Sequence, residues 1–175
     1  ALRTARCPKS AARWDLCKVM QHNDSRVLVR EARLRDVSSI MRILNDDILN
    51  GENTLDTRVW TKTQGVMWFM RHDSETYPIY VAESDGKVIG YAAVNPYRSA
   101  LGFERIAENS IYVDATFRRR GVATQLVSRV LDEARKRGYR IMMATVISTN
   151  TPSLRLHESL GYERMSTLIR GGQRG

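Results

Sequence analysis

One segment limits the possible folds of this chain more than any other: YPIYVAESDGKVIGYAAV, residues 77–94. Two apolar runs flank Asp85-Gly86, a dipeptide that accepts the positive φ angles of a tight hairpin turn. The segment is therefore predicted to form two antiparallel strands, and any fold proposed for the chain must contain this hairpin.

The other segments show helical or strand patterns. Asp36 is predicted to cap a helix, because the apolar positions after it recur at helical spacing: Val37, Ile40, Met41, Leu44 and Ile48. Further helices are predicted within 57–72, from Gly121 to about Lys136, and within 150–161. Strands are predicted at 27–33, 108–115, 140–147 and 162–169. The predicted order is β-α-α-β-β-β-α-β-α-β, an α/β fold with a mixed, mostly antiparallel central sheet flanked by helices.

Composition indicates one soluble globular domain. The chain has 175 residues, of which 42% are hydrophobic and 27% charged, and no stretch is long and apolar enough to span a membrane. The net charge is +9, but residues 1–26 hold six basic and two acidic residues, and residues 163–175 hold three basic and one acidic. Because much of the basic excess lies at the ends, nucleic acid is disfavoured as a partner.

The chain is predicted to consist of a basic N-terminal extension (1–26), disordered or targeting, a domain (27–168), and a basic glycine-rich tail (169–175). Both cysteines, Cys7 and Cys17, lie in the extension. Without a second pair or a CxxC there is no zinc or redox motif, and we expect no metal. A cytoplasmic location is expected; the alternative is an organelle, because an extension poor in acids is also typical of transit peptides.

The stretch TFRRRGVATQL, residues 116–126, places three arginines before a glycine at the start of a predicted helix. The unpaired N–H groups of a first helical turn and the helix dipole favour an anion, and a glycine lets a phosphate approach the backbone. The site suits a pyrophosphate. An ordinary helix start with solvated arginines is the alternative that the residues alone leave open.

Three motifs together resemble the GNAT N-acetyltransferases, and in particular the phosphinothricin and methionine sulfoximine acetyltransferase branch. They are Arg118-x-x-Gly121-x-Ala123 after the strand SIYVD, AENSIYV at 107–113, and NTPSLRLHESLGYE at 150–163, with NDDILN at 45–50 in support. The similarity covers residues 27–168. After STL it stops, so the final strand of the family's sheet is expected to be missing or replaced.

The resemblance implies acetyl-CoA as cosubstrate. It assigns cofactor binding to the strand Ile111, Tyr112 and Val113, to the turn and helix start Arg118, Arg119, Arg120, Gly121, Val122, Ala123 and Thr124, and to Asn150 and Ser153. By chemistry alone, Asn150 is equally a helix cap.

Two residues are predicted to be catalytic. The resemblance places Glu108 beside the reacting amine as its base, and a base is useful because a free amine is mostly ammonium at neutral pH. His157 stands where many family members carry a tyrosine that protonates the leaving thiolate, and a histidine titrates near neutrality. The alternative for His157 is a helix histidine packed against the sheet.

The acceptor is predicted to be the primary amine of a small molecule, an amino acid or analogue. The loop before Glu108 offers Tyr97, Arg98, Phe103 and Arg105 as substrate-binding residues, and an arginine suits an acid group. Glu104 and Ile106 depart from the branch's pattern, which leaves a cationic or neutral amine open. Acetylation of protein or polyamine amines also stays open, as does a catalytically silent module that binds RNA or protein. A homodimer is a further expected partner state.

Overall fold

The computed structural model describes residues 2–6, 27–51 and 53–168. Short 3-10 turns precede α1, β5 and α3. The helices and strands, in chain order, are β1 Leu2–Arg6, β2 Leu28–Glu31, α1 Val37–Asn50, α2 Lys62–Arg71, β3 Ile79–Ser84, β4 Lys87–Pro96, β5 Ile106–Val113, α3 Val122–Lys136, β6 Ile141–Ile147, α4 Thr151–Ser159 and β7 Glu163–Leu168.

In the described part of the chain the strands form one sheet, in the order β2-β3-β4-β5-β6-β1-β7. Neighbouring strands are antiparallel except β5 and β6, which run parallel. A parallel pair needs a crossover connection, and α3 provides it. The mixed, mostly antiparallel sheet is confirmed, and so is the predicted order of elements from β2 to β7.

The predicted hairpin joins β3 to β4. Asp85 has a φ of 49° and Gly86 a φ of 75°, so both central residues adopt the left-handed conformation that a tight hairpin turn uses. β4 then pairs with β5 in a register that places Asn95 opposite Glu108. The hairpin therefore helps to position the predicted base.

Asp36 stands at the N-cap position of α1, as predicted, but its side chain makes no capping hydrogen bond to that helix. Its carboxylate instead accepts from the Arg33 backbone N–H at 2.8 Å and from Arg30 Nη1 at 2.7 Å. The residue therefore ties the turn before α1 to β2.

Apolar side chains cover both faces of the sheet. α3 packs on one face through a buried cluster that includes Leu126, and α1 packs on the other through a cluster that includes Ile40. Alternate residues of a strand point to opposite faces. On β5, Ala107 belongs to the α3 side and Tyr112 packs on the α1 side. Glu108 alternates with Tyr112 and therefore lies on the α1 side.

β1 lies within the segment predicted as an N-terminal extension, yet it is a strand of the sheet. It pairs antiparallel with β6, from Leu2 opposite Ile147, and with β7, from Leu2 opposite Leu168. It therefore lies between β6 and β7 and joins them through backbone pairing. Residues 7–26 lie outside the described residues. So does the tail 169–175, where the final strand of the family's sheet was predicted to be missing or replaced.

Replacement of Thr4 tests whether β1 holds the sheet together. Thr4 pairs with Thr145 of β6 and Ser166 of β7. We expect Thr4→Pro to lower the free energy of unfolding by about 2 kcal/mol or more, because proline cannot donate to the ladder and leaves a partner carbonyl without its donor. Urea denaturation followed by circular dichroism measures the change. Thr4→Val keeps the N–H and should unfold like the wild type; equal midpoints for all three proteins would contradict the role of β1.

Candidate active site

The parallel strands β5 and β6 pair over only the first part of β5. The register joins Ile106 to Ile141, Ala107 to Met142 and Glu108 to Met143, and ends there. β5 continues to Val113, so its edge beyond Glu108 is separated from β6. The separation opens a cleft in the sheet that starts at Glu108.

The N-terminus of α3 forms one wall of the cleft. Gly121 is the N-cap residue with a φ of 76°, a conformation that favours glycine, and it has no side chain that could cap the helix. The cap residue therefore supplies no partner to the N–H groups of the first turn, which carry the partial positive charge of the helix dipole. Apart from the local backbone and the two flanking residues, no atom of the described residues lies within 4 Å of the point that a Cβ on Gly121 would occupy. The terminus is open to an anion.

The start of α4 forms another wall. The Asn150 Oδ1 atom accepts a hydrogen bond from the Ser153 N–H at 3.1 Å, and Pro152 occupies the first turn. Asn150 is therefore a helix cap, and it also lines the cavity described next.

A cavity of about 640 Å³ lies between β5, α3 and α4. This is within the usual size of a ligand pocket. All of the residues predicted to bind the cofactor line it, except Arg120. The Arg120 guanidinium lies 5.3 Å from the centre of the Phe117 ring.

Several lining residues were not predicted from the sequence: Asp47, Asn53, Phe117, Thr151, Pro152, Arg155, Leu156 and Ser159. Asp47 is only 2% exposed. It follows Leu44 by three residues and precedes Ile48, so it lies on the apolar stripe of α1. A carboxylate on such a stripe indicates a buried partner or a ligand, because an unpaired buried charge is costly. This signal was available in the sequence.

Glu108 is half-buried where β5 and β6 part. Asn95 Nδ2 donates to the Glu108 carbonyl oxygen at 3.2 Å and to Ser110 Oγ at 3.0 Å. Asn95 Oδ1 lies 3.2 Å from His72 Nε2, and His72 Nδ1 lies 2.9 Å from the Trp68 carbonyl oxygen. This network fixes the strand through the backbone of Glu108 and does not use its carboxylate.

His157 lies in the core and is 3% exposed. Its Nδ1 donates to the Ser153 carbonyl oxygen at 2.8 Å, and its Nε2 lies 3.2 Å from Asn109 Nδ2. Asn109 Oδ1 accepts from the Tyr162 hydroxyl at 2.7 Å. Burial lowers the pKa of His157, although the hydrogen bond to Ser153 opposes this. The ring is therefore neutral at neutral pH, and its geometry is that of a packed helix histidine outside the cavity lining.

Three of the four residues predicted to bind the substrate lie together. The rings of Tyr97 and Phe103 are 5.6 Å apart, and the Arg98 guanidinium lies 5.3 Å and 5.6 Å from their centres. Arg105 points elsewhere, with its Nη1 donating to the Gly138 carbonyl oxygen at 3.4 Å in the turn before β6.

Two features are absent from residues 2–6, 27–51 and 53–168. No group of three or more His, Cys, Asp and Glu side chains is placed there to hold a metal ion. In the same residues, no helix combines the length and apolarity needed to cross a membrane.

Comparison with known proteins identifies the class of enzyme. The profile of the Acetyltransferase (GNAT) family matches residues 38–162. Over 134 residues the chain is 35% identical to the L-amino acid N-acyltransferase MnaT of Escherichia coli. The aligned region covers 77% of this chain and 78% of that protein. It is 34% identical over 134 residues, with the same coverage of 77% and 78%, to the L-methionine sulfoximine/L-methionine sulfone acetyltransferase of Salmonella typhimurium.

The fold agrees with this assignment. The crystal structure of a GNAT superfamily phosphinothricin acetyltransferase from Sinorhizobium meliloti in complex with AcCoA matches with a TM-score of 0.81 at 28% identity, over 85% of this chain and 80% of that one. The chain belongs to the GNAT acetyltransferase family and is an acetyl-CoA-dependent N-acetyltransferase. The resemblance to the phosphinothricin and methionine sulfoximine branch is confirmed.

Substitution at Gly121 tests the predicted phosphate site. We expect Gly121→Glu to weaken CoA binding about 100-fold, because it adds a negative charge at the helix N-terminus and disfavours the left-handed backbone. Isothermal titration calorimetry measures the Kd. Gly86→Glu is the matched control, since Gly86 has a φ of 75° and equally open space but lies in the β3–β4 turn. Normal CoA binding by Gly121→Glu would exclude this helix as the phosphate site.

The buried histidine predicts a pH dependence of stability. The pKa of His157 in the folded protein lies below 6.5, so its contribution is complete above that pH and decreases as the pH falls below it. We expect the free energy of unfolding to decrease between about pH 7.5 and about pH 5.5, and less steeply in His157→Gln. Urea denaturation at several pH values measures both slopes. Parallel slopes would mean that His157 is not the group responsible.

Proposed function

We propose that the enzyme transfers the acetyl group of acetyl-CoA to the primary amine of a small molecule of the amino-acid class, with Glu108 as general base. The proposal depends on one observation above all. Glu108 lies where β5 and β6 part, and the cavity beyond it is bounded by the open N-terminus of α3.

The cavity residues fit a nucleotide thioester. The first-turn N–H groups of α3, at Val122, Ala123 and Thr124, would hold the pyrophosphate. The edge of β5 at Ile111–Val113, which β6 leaves unpaired, offers backbone donors and acceptors to the amide groups of the pantetheine arm. When bound, acetyl-CoA supplies the activated acetyl group.

Glu108 would take the proton from the acceptor's ammonium group, directly or through a water molecule. An amine is mostly protonated at neutral pH and cannot attack in that form, so a carboxylate at this position serves the reaction. The Asn95–Ser110–His72 contacts hold the strand that carries it. A backbone N–H of Ile111–Val113 would face the carbonyl oxygen of the acetyl group and stabilise the charge that develops there.

His157 would position rather than transfer protons. Both of its ring nitrogens are engaged in the core, by Ser153 and Asn109. A thiol has an ordinary pKa of about 8.5, so the leaving group has little need of an acid. By holding Asn109 on β5 and Ser153 on α4, His157 would fix the distance between the two walls of the cleft.

The acceptor would carry an acid group as well as the amine. The guanidinium of Arg98, held over two aromatic rings, suits a carboxylate or a similar anion. Its loop begins just after Asn95, which is opposite Glu108. The relatives named for L-amino acids and for L-methionine sulfoximine support this class of acceptor.

Replacement of Glu108 tests the base. We expect Glu108→Gln to lower kcat about 100-fold or more with L-methionine sulfoximine as acceptor, and to leave the Kd for CoA unchanged, because only the proton acceptor is lost. Release of free thiol from acetyl-CoA measures turnover. Glu75→Gln, in the exposed turn before β3 and outside the cavity lining, is the matched control and should keep the wild-type rate.

Two outcomes would contradict the proposal separately. Unchanged turnover in Glu108→Gln would remove Glu108 as the base. Thiol release with simple amines but not with amino acids or their analogues would show that the acceptor class is wrong.

A further inference from the structure

Asp47 has an unusual environment for a carboxylate. It is 2% exposed and lines the cavity from α1. Its Oδ1 accepts from Arg118 Nη2 at 3.0 Å and also from Asn53 Nδ2. Its Oδ2 is buried and has no hydrogen-bond partner among the described residues.

Further hydrogen bonds connect the partners of Asp47 to β5 and to the start of α4, on opposite sides of the cleft. On one side, Arg118 Nε donates to the Val113 carbonyl oxygen of β5 at 3.2 Å. On the other, Asn53 Oδ1 accepts from Asn150 Nδ2, the cap of α4, at 2.6 Å. We call this chain of hydrogen bonds the Asp47 belt; its members are Val113, Arg118, Asp47, Asn53 and Asn150, and all of them line the cavity.

Stability does not explain the belt. A buried ion pair gains little or nothing over apolar side chains of the same volume, and a carboxylate oxygen without a donor adds a desolvation cost. Arg118 is 42% exposed while Asp47 is 2% exposed, so solvent weakens the attraction while the carboxylate bears the full cost of burial. The position lies on the apolar stripe of α1, where a leucine would pack. A role at the cavity accounts for the acid.

We propose that Asp47 is a positioning residue for the acetyl donor. It holds the Arg118 guanidinium beside the N-terminus of α3, with two contacts that leave other N–H donors available for phosphate oxygens. Through Asn53 it also holds Asn150 at the opposite wall. Arg118 stays on Asp47 when phosphate binds, since its departure would leave a buried carboxylate without its cation. The inference depends on the proposed function only in taking CoA as the ligand of this cavity.

The isosteric variant Asp47→Asn tests the proposal. We expect the Kd for CoA to rise about tenfold, which corresponds to about 1.4 kcal/mol, and KM for acetyl-CoA to rise with it. We expect kcat at saturation to change little and the urea midpoint to stay the same or rise, because a buried charge is removed. Asp46→Asn is the matched control, since Asp46 is the exposed neighbour and its replacement removes the same charge.

The route through Arg118 has its own test. We expect S-acetylpantetheine, which lacks the phosphates, to bind Asp47→Asn with an affinity within about twofold of the wild type. In a double-mutant cycle, Arg118→Lys and Asp47→Asn should be non-additive for CoA, because both remove one interaction. Additive losses, or equal losses for the two ligands, would overturn this route.

The proposal is overturned if the Asp47→Asn variant binds CoA like the wild type. A lower urea midpoint of this variant with unchanged CoA affinity would show instead that Asp47 only stabilises the fold. If that variant does not fold, Asn53→Ala and Arg118→Lys replace it: each should weaken CoA several-fold, and wild-type affinity in both would overturn the belt. These titrations contain no acceptor. Failure to acetylate amino acids with CoA binding intact would therefore contradict only the acceptor class, whereas a wild type that does not bind CoA would overturn both proposals.

Discussion

The parting of β5 from β6 is the constraint on which the rest of the structure depends. Two parallel strands that paired along their full length would close the sheet and leave no space between them. Because pairing ends at Glu108, the edge of β5 beyond it is not joined to β6 and faces the cavity. The crossover helix α3 connects the same two strands, so its N-terminus opens on the space that their separation creates.

Two polar networks join the walls of this cleft. They differ in whether their buried polar atoms all have hydrogen-bond partners. His157, Asn109 and Tyr162 satisfy one another inside the core, as buried polar groups of a stable interior do. Asp47 retains an oxygen that no described residue donates to, although it is as deeply buried. A satisfied network rigidifies the protein, whereas an unsatisfied acid at a cavity is a feature that stability alone does not select. The contrast agrees with a packed His157 and supports the role at the cavity that we propose for Asp47.

Much of the fold and of the cavity lining was predictable from the sequence, because both depend on local patterns. The Asp85-Gly86 hairpin, the apolar stripes of α1 and α3, and the glycine before α3 are each decided by residues that are neighbours along the chain. Arg105 shows the limit of this reasoning: its loop position favoured a substrate role, whereas its side chain lies against Gly138 in the turn before β6. No local pattern encodes the direction of a long, flexible side chain on a loop.

The sequence by itself determined the order of elements from β2 to β7, the antiparallel hairpin and the helix N-terminus that suits a phosphate. These follow from hydrophobic periodicity and turn chemistry, which act over a few residues. Only the tertiary structure decided that Leu2–Arg6 joins the sheet, that His157 is packed and that Asp47 reaches Arg118. Each of these contacts joins residues far apart in the chain, for example 71 positions for Asp47 and Arg118. Which distant groups meet depends on how the whole sheet pairs and on which residues its packing buries.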